Sequence, residues 1–441
     1  MSKKRFLQGT LILTCAGLLT RFMGFFYRIF LSHAIGAQGL GVYQLAMPLQ
    51  GLVMALAAAG MQAAISRFCA SRMALGQQKE ARDHFLLGTG TTVFFTAILS
   101  FVIYKNSAFF ASQLLKEPRT LPLIRILCFS FPLTALHSCV NSYYYSQKQT
   151  ALPSGIQLLE QAARIGGSYV IYLVFLSEGR EITSVIAAGG ALFSEIIASL
   201  FSLIAVSADL RKHHYCLEKI SHPAGILKNM VKMAVPHSMN RLLITLLHSM
   251  EVVLIPQRLL LSGLGREESL AIYGVFTGMA LPLILFPSTI TNSASLMLMP
   301  SVAELQALGY KKRIDHVINR TCVCCFLLGV GCSLCFFLFG MPMGILLFGS
   351  ATAGTYIKAL AFFCPFFYMN TALTSILNGL GKPNTCLMHN VIGASLRIGF
   401  VLFAIPALGI RGYFYGMLLS ELLLSVLHIG ALTALKKHPL P

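Results

Sequence analysis

ALGQQKEARDH at residues 74–84 and ALGYKKRIDH at residues 307–316 lie about 233 positions apart and share one plan: Ala-Leu-Gly, then basic residues, then Asp-His. The spacing recurs. Arg164-Ile165-Gly166 returns as Arg397-Ile398-Gly399, Gln147-Lys148 as Gly381-Lys382, and Pro48 as Pro282. One shared offset across several matches implies a duplicated chain. Between the motifs lie apolar stretches long enough to cross a bilayer, which takes about 20 residues each. In the first half they fall near 6–32, 39–62, 84–104, 121–145, 152–176 and 184–207. In the second they fall near 230–256, 270–298, 318–346, 355–379, 384–405 and 412–435.

The expected fold is therefore an all-α polytopic membrane protein of about 12 transmembrane helices. An even number of spans per half makes the repeats parallel, giving two parallel six-helix lobes around a central cavity, a common transporter plan. The expected division is an N-terminal six-helix lobe at 1–210, a basic cytoplasmic linker at 211–229 and a C-terminal six-helix lobe at 230–441.

Bulk composition agrees. Of 441 residues, 56% are hydrophobic and 11% charged, with a mean hydropathy of +0.73. A soluble domain carries about a quarter charged residues. The net charge of +19 could suggest nucleic acid, but the basic residues gather in short loops between apolar runs, as topology signals do. Loops on one side hold Lys3–Arg5, Arg67, Arg72, Lys79, Arg82, Lys148, Arg211, Lys212, Lys311–Arg313, Lys382, Lys436 and Lys437, among others. By the positive-inside rule that side is cytoplasmic, and so are both termini.

The twelve cysteines mostly sit in apolar runs, where a thiol is a small hydrophobe rather than half a disulfide. Neither CSLC at 332–335 nor His213-His214 in the basic loop has the neighbours of a metal site. The first apolar stretch is too long for a cleaved signal, so it is expected to stay as a helix. No Walker loop, HExxH or DxD pair is present, and no loop is long enough for a catalytic domain. An enzyme, a metal and a cofactor are therefore not expected.

Charges inside the spans ask for a reason, since one at the bilayer centre costs about 2.5–3.5 kcal/mol on insertion scales. LLTRFMGFFYRIF, residues 18–30, places Arg21 and Arg28 two helical turns apart on one face. A guanidinium fork suits phosphate oxygens bidentately. In 233–256, His237, Arg241 and His248 share a face by four- and seven-residue spacing, with Glu251 at its flank. Arg397 can reach the same cavity. Glu160 stands four residues before Arg164, the favoured order for an intrahelical pair. Glu195 and Glu421 have no local partner. With Glu160 and Glu251, they are the candidates for ion or proton coupling.

GTLILTCAGLLTRFMGFFYRIFLSHAIGAQGLGVYQLAMPL (9–49) resembles the opening of bacterial polysaccharide-type flippases related to stage V sporulation protein B. Further stretches of likeness are 143–166, 273–304 and NGLGKPN at 378–384. These flippases belong to the multidrug/oligosaccharidyl-lipid/polysaccharide superfamily, with the lipid II flippases. The resemblance implies a V-shaped helical transporter that moves a lipid-linked saccharide across the bacterial cytoplasmic membrane, with first-helix arginines on the diphosphate. Arg21 falls on that motif. Arg28 lies one place past the second motif arginine, where Tyr27 stands.

The expected function is a flippase for an undecaprenyl-diphosphate-linked or similar anionic lipid saccharide, working by alternating access. Arg21, Arg28, Arg241, His237, His248 and Arg397 would bind substrate. The expected partners are that lipid-linked substrate, membrane lipid and a coupling ion, with no nucleic acid. The main alternative is a cation-coupled multidrug exporter of the same fold; a non-transporting envelope or sporulation scaffold is a third reading.

Overall fold

The computed structural model describes residues 3–147, 149–212, 222–308 and 310–437, so His213-His214 and Lys148 lie outside the described residues. The described residues form helices and short connections, without a strand. Helix α1 (Lys3–Val53) continues through a π turn at Met54–Ala58 into α2 (Ala59–Ala74). Then come α3 (Gln78–Lys105), α4 (Leu121–Ser146), α5 (Ala151–Ser177) and α6 (Val185–Lys212). The second series is α7 (Pro223–Leu261), α8 (Arg266–Gly274), a π turn at Val275–Ala280, α9 (Leu281–Leu285) and α10 (Ser288–Ala307). It ends with α11 (Lys311–Phe348), α12 (Ala351–Leu360), α13 (Cys364–Gly379), α14 (Pro383–Leu408) and α15 (Ile410–Lys437).

Each expected apolar stretch is helical over most of its length. Ten described segments are long and apolar enough to cross a membrane, and the first, Thr14–Ala74 with 61 residues, contains two of the expected stretches. They are separated inside α1 at Gly36, which adopts φ +67°, a conformation that suits a residue without Cβ. Helix α5 is not among the ten, because Glu160, Gln161 and Arg164 dilute its apolar run.

The backbone contacts divide the chain into two compact units: Met1–Tyr27 with Val42–Ser249, and Arg28–Gly41 with Met250–Pro441. Most of α7 thus packs on the first unit, and a short piece of α1 on the second.

The duplication is visible inside each unit. The Ala-Leu-Gly motifs occupy equivalent turns: α2 ends at Ala74 and α3 starts at Gln78, while α10 ends at Ala307 and α11 starts at Lys311. In the first unit α2, α3 and α4 pack on one another, α4 packs on α6, and α5 pairs with α6. In the second, α10, α11 and α13 pack on one another, α13 packs on α15, and α14 pairs with α15. The cores also correspond. Val140, Tyr143, Tyr144 and Val206 help fill one, and Leu373, Ile376, Leu377 and Leu432 hold the matching places in the other.

Outside these cores the apolar side chains point away from the protein. Leu346 is 84% exposed and Phe403 80%, with Phe94, Phe101, Phe129 and Leu334 also exposed. So much apolar surface is untenable in water and natural against lipid.

Two glycines allow close approach within the helix pairs α5–α6 and α14–α15. A Cβ at Gly190 of α6 would lie 1.8 Å from Ser168 Oγ and 2.9 Å from the Arg164 carbonyl oxygen of α5. One at Gly416 of α15 would lie 2.6 Å from Phe400 Cβ of α14. Gly190→Val should push α5 from α6 and cost about 1–3 kcal/mol, as overpacking does. That would show as a lower melting temperature of the purified protein; an unchanged melting temperature would contradict the close approach.

Candidate functional site

Each unit sets one partly buried guanidinium among carboxylates. In the first, Arg164 Nη2 donates to Glu160 Oε1 one turn back on α5, and Glu195 Oε1 of α6 lies 3.9 Å away. Arg164 Nε also reaches Ser194 Oγ at 3.4 Å. His137 on α4 completes the group, its Nε2 3.0 Å from Glu195 Oε2. That contact is at ion-pair distance but off hydrogen-bond alignment, and both His137 ring nitrogens lack a hydrogen-bond partner.

In the second unit Arg397 Nε of α14 donates to Glu251 Oε1 of α7 at 2.8 Å, and Tyr413 Oη donates to the same oxygen at 2.8 Å. Glu421 of α15 lies 4.0 Å from Arg397 Nη1, and Ser420 Oγ 3.4 Å from it. Asn370 Nδ2 on α13 donates to Glu421 Oε2 at 2.7 Å and to the Glu421 carbonyl at 2.9 Å. Ser425 Oγ in turn donates to Asn370 Oδ1 at 2.8 Å.

The two clusters are copies. Arg164 and Arg397 share the 233-residue offset, and so do His137 and Asn370. FSEIIASL at 193–200 matches LSELLLSV at 419–426, which aligns Ser194 with Ser420, Glu195 with Glu421 and Ser199 with Ser425. The offset falls to 226 because the connection before α6 is longer than the one before α15.

The sequence-expected residues distribute as follows. Glu160 pairs with Arg164, as the four-residue spacing suggests. Glu195 and Glu421, without local partners, find them on other helices. Glu251 bonds Arg397 and Tyr413 rather than only flanking a histidine stripe. Arg21, His237, Arg241 and His248 are exposed and belong to the first unit. Arg28 belongs to the second, half-buried, with Nη1 donating to the Thr277 carbonyl at 3.2 Å inside the π turn Val275–Ala280. Tyr27 is buried, its hydroxyl 2.8 Å from Ser168 Oγ. Arg82, read as a topology charge, is buried, its Nε bonded to Asp83 Oδ1 at 2.9 Å.

His137, Asn370, Tyr413, Ser194 and Ser420 are members that the sequence reading missed. The repeated Ser-Glu pair was the signal that could have found them. Among the described residues no group of three or more His, Cys, Asp or Glu is arranged to hold a metal ion.

A helical membrane protein with a duplicated helix order and one buried ionic cluster per repeat has the architecture of a secondary transporter. The comparisons narrow this. The family model described as "Polysaccharide biosynthesis protein" matches residues 6–306, and the chain belongs to that family. A second model, MatE, matches residues 250–403. The chain is 28% identical over 447 residues to stage V sporulation protein B of Bacillus subtilis (strain 168), covering 98% of this chain and 84% of the relative. Among solved structures, the lipid II flippase MurJ in an inward closed conformation superposes with a TM-score of 0.75 at 12% identity, covering 96% of this chain and 87% of that one. An inward-facing multidrug resistance MATE family transporter of the MOP superfamily gives 0.71 at 16%, covering 96% of both. At such identities these two establish the shared fold.

Removing one member of a buried pair is costlier than the pair is worth, because the remaining charge is left alone. Arg397→Met should therefore destabilise the protein by about 3–5 kcal/mol. Tyr413→Phe, which removes one neutral donor, should cost about 1 kcal/mol. Melting temperatures in detergent give the ranking; equal effects would mean that Arg397 does not neutralise the buried carboxylates.

Proposed function

We propose that the chain is a flippase that moves an anionic, lipid-linked saccharide across the bacterial cytoplasmic membrane by alternating access. The observation that carries this reading is the placement of the charges: carboxylates paired within each unit, and arginines exposed in membrane segments. Glu160, Glu195, Glu251 and Glu421 are turned onto Arg164, Arg397 and their hydrogen-bonding neighbours. Arg21 and Arg241, by contrast, are exposed in segments that read as membrane-spanning. A cationic drug needs carboxylates, whereas a diphosphate needs guanidinium forks. Arg21 and Arg241 would hold the phosphates, with His237 and His248 beside them on α7. Arg28, bonded to a backbone carbonyl, would join when released from it.

The family's description, and the names of the sporulation and lipid II relatives, support a cell-envelope saccharide. The shared MATE fold keeps cation-coupled multidrug export as the alternative. Glu160, Glu195, Glu251 and Glu421 are the residues proposed to link transport to an ion or proton. The tested probe is a fluorescent undecaprenyl-diphosphate-linked saccharide in proteoliposomes. Wild-type protein should move it across the bilayer. Arg21→Lys keeps the charge, loses the fork, and should lower the rate at least tenfold. Full activity of the Lys variant would mean that only positive potential is needed. Movement of a cationic dye instead of the lipid would favour the exporter.

Orientation is testable separately. In a variant lacking the twelve native cysteines, a single cysteine replacing Lys312 should be shielded from an impermeant reagent in intact cells. One replacing Arg266 should be labelled. The reverse pattern would invert the topology and place both termini outside.

A further inference from the structure

The two repeated clusters differ at one position, and the difference is chemical. Asn370 has no titratable group and makes three hydrogen bonds: two to Glu421 and one from Ser425. Its counterpart His137 is as deeply buried, but neither ring nitrogen has a hydrogen-bond partner. The serine equivalent to Ser425, Ser199, donates to the Leu133 carbonyl at 2.9 Å instead. His137 Nε2 lies 3.0 Å from Glu195 Oε2, itself a buried oxygen without a hydrogen bond.

We infer that His137 and Glu195 form a site for one exchangeable proton, a role that the copy at Asn370 cannot share because an amide has no titratable ring.

Charge balance supports the assignment. Both clusters set two carboxylates against one guanidinium, and the first alone adds an imidazole that can take up a balancing proton. A second ring proton neutralises the cluster and makes both ring nitrogens donors, with Nε2 facing Glu195 Oε2 at 3.0 Å. When the proton leaves, Glu195 becomes the stronger pull on Arg164, which now bonds Glu160 and lies 3.9 Å from Glu195. Arg164 and Ser194 sit on helices held close at Gly190, so a shift of the guanidinium is felt by α5 and α6 together.

The charged groups acting on His137 are Glu195 of α6, which favours its proton, and Glu160 and Arg164 of α5, which act in opposite senses. Among the elements packed on α4, Arg72 pairs with Glu80, Arg82 with Asp83 and Glu117 with Arg119, while Asp209 of α6 accepts from Tyr143. Helix α3 contributes buried, uncharged Thr89, Thr92 and Thr96, and the π turn Met54–Ala58 has no charge. From α1, Gln50 bonds Thr134 of α4, and the Tyr27 and Tyr43 side chains act on Arg164.

The inference rests on the transport reading only for its consequence, so its test has two arms. In the first, the full chain with ring-labelled histidine is placed in lipid nanodiscs and titrated by NMR from pH 5 to 9. One of the twelve imidazoles, absent in His137→Asn, should titrate, and its midpoint should move in Glu195→Gln. Asn370→His should add a new imidazole signal. A His137 ring fixed in one protonation state across the range, or a midpoint indifferent to Glu195→Gln, would overturn the proposal. If His137→Asn does not fold, His137→Gln serves for assignment. In the second arm, an imposed pH gradient should change the rate of lipid movement in proteoliposomes for the wild type and not for His137→Asn. Equal gradient dependence in both would overturn the link to transport. No lipid movement in any variant, with the NMR titration intact, would fault the substrate and leave the proton site standing.

Discussion

A partly buried guanidinium shared by two carboxylates is the interaction on which each unit depends. In a medium with little water an unpaired charge costs several kilocalories per mole, so Arg164 and Arg397 are tolerable only with partners at hand. Those partners come from different helices. Arg164 ties α5 to Glu195 on α6, and through Glu195 to His137 on α4. Arg397 ties α14 to Glu251 on α7, and Asn370 joins α13 to Glu421 on α15. The bonds need close backbones, which Gly190 and Gly416 permit. Small residues at helix contacts and polar residues between helices are the general means of joining helices in lipid, where the hydrophobic effect gives no preference for one helix face over another.

Duplication explains why the arrangement occurs twice, and divergence explains why the copies are unlike. The cores keep matching places, with Tyr143 and Tyr144 against Ile376 and Leu377. The polar groups were exchanged more freely. One repeat supplies its second carboxylate from within α5, as Glu160; the other draws Glu251 from α7. Tyr413 then gives Glu251 a second donor, which the first cluster does not copy. A permanently satisfied amide in one place and a titratable ring in the other is how a duplicated scaffold can give one repeat a changeable role.

Most of the fold was legible because hydropathy and the repeated Ala-Leu-Gly turn are local signals. They put every expected stretch on helix and separated the first two near Gly36, but α2 runs 12 residues past the expected end at 62, and the stretch 270–298 falls on α8, α9 and α10. The chain's division by contacts was less legible, since α7 begins after the basic loop yet packs largely with the first unit. Of the candidate site, only Glu160 with Arg164 could be paired from spacing, because both lie on one helix. Glu195, Glu251 and Glu421 meet partners as much as 162 residues away, and no periodicity in their own helices points to them. Only the repeat does: aligning Ser194-Glu195 with Ser420-Glu421 brings His137 and Asn370 into register. Arg21 and Arg28 look alike in sequence, but Arg21 is exposed in the first unit while Arg28 is half-buried in the second and bonded to a carbonyl in a π turn.

The central claim is that the exposed arginines serve an anionic lipid while the carboxylates serve the protein's own cations. Native mass spectrometry of the gently solubilised full chain tests it most directly, by weighing what leaves the membrane with the protein. The account predicts a co-purifying polyprenyl lipid bearing phosphate and saccharide, reduced in the Arg21→Ala protein but retained in Tyr413→Phe. A cationic amphiphile in its place, or a phosphorylated lipid held equally by the Arg21→Ala protein, would contradict it.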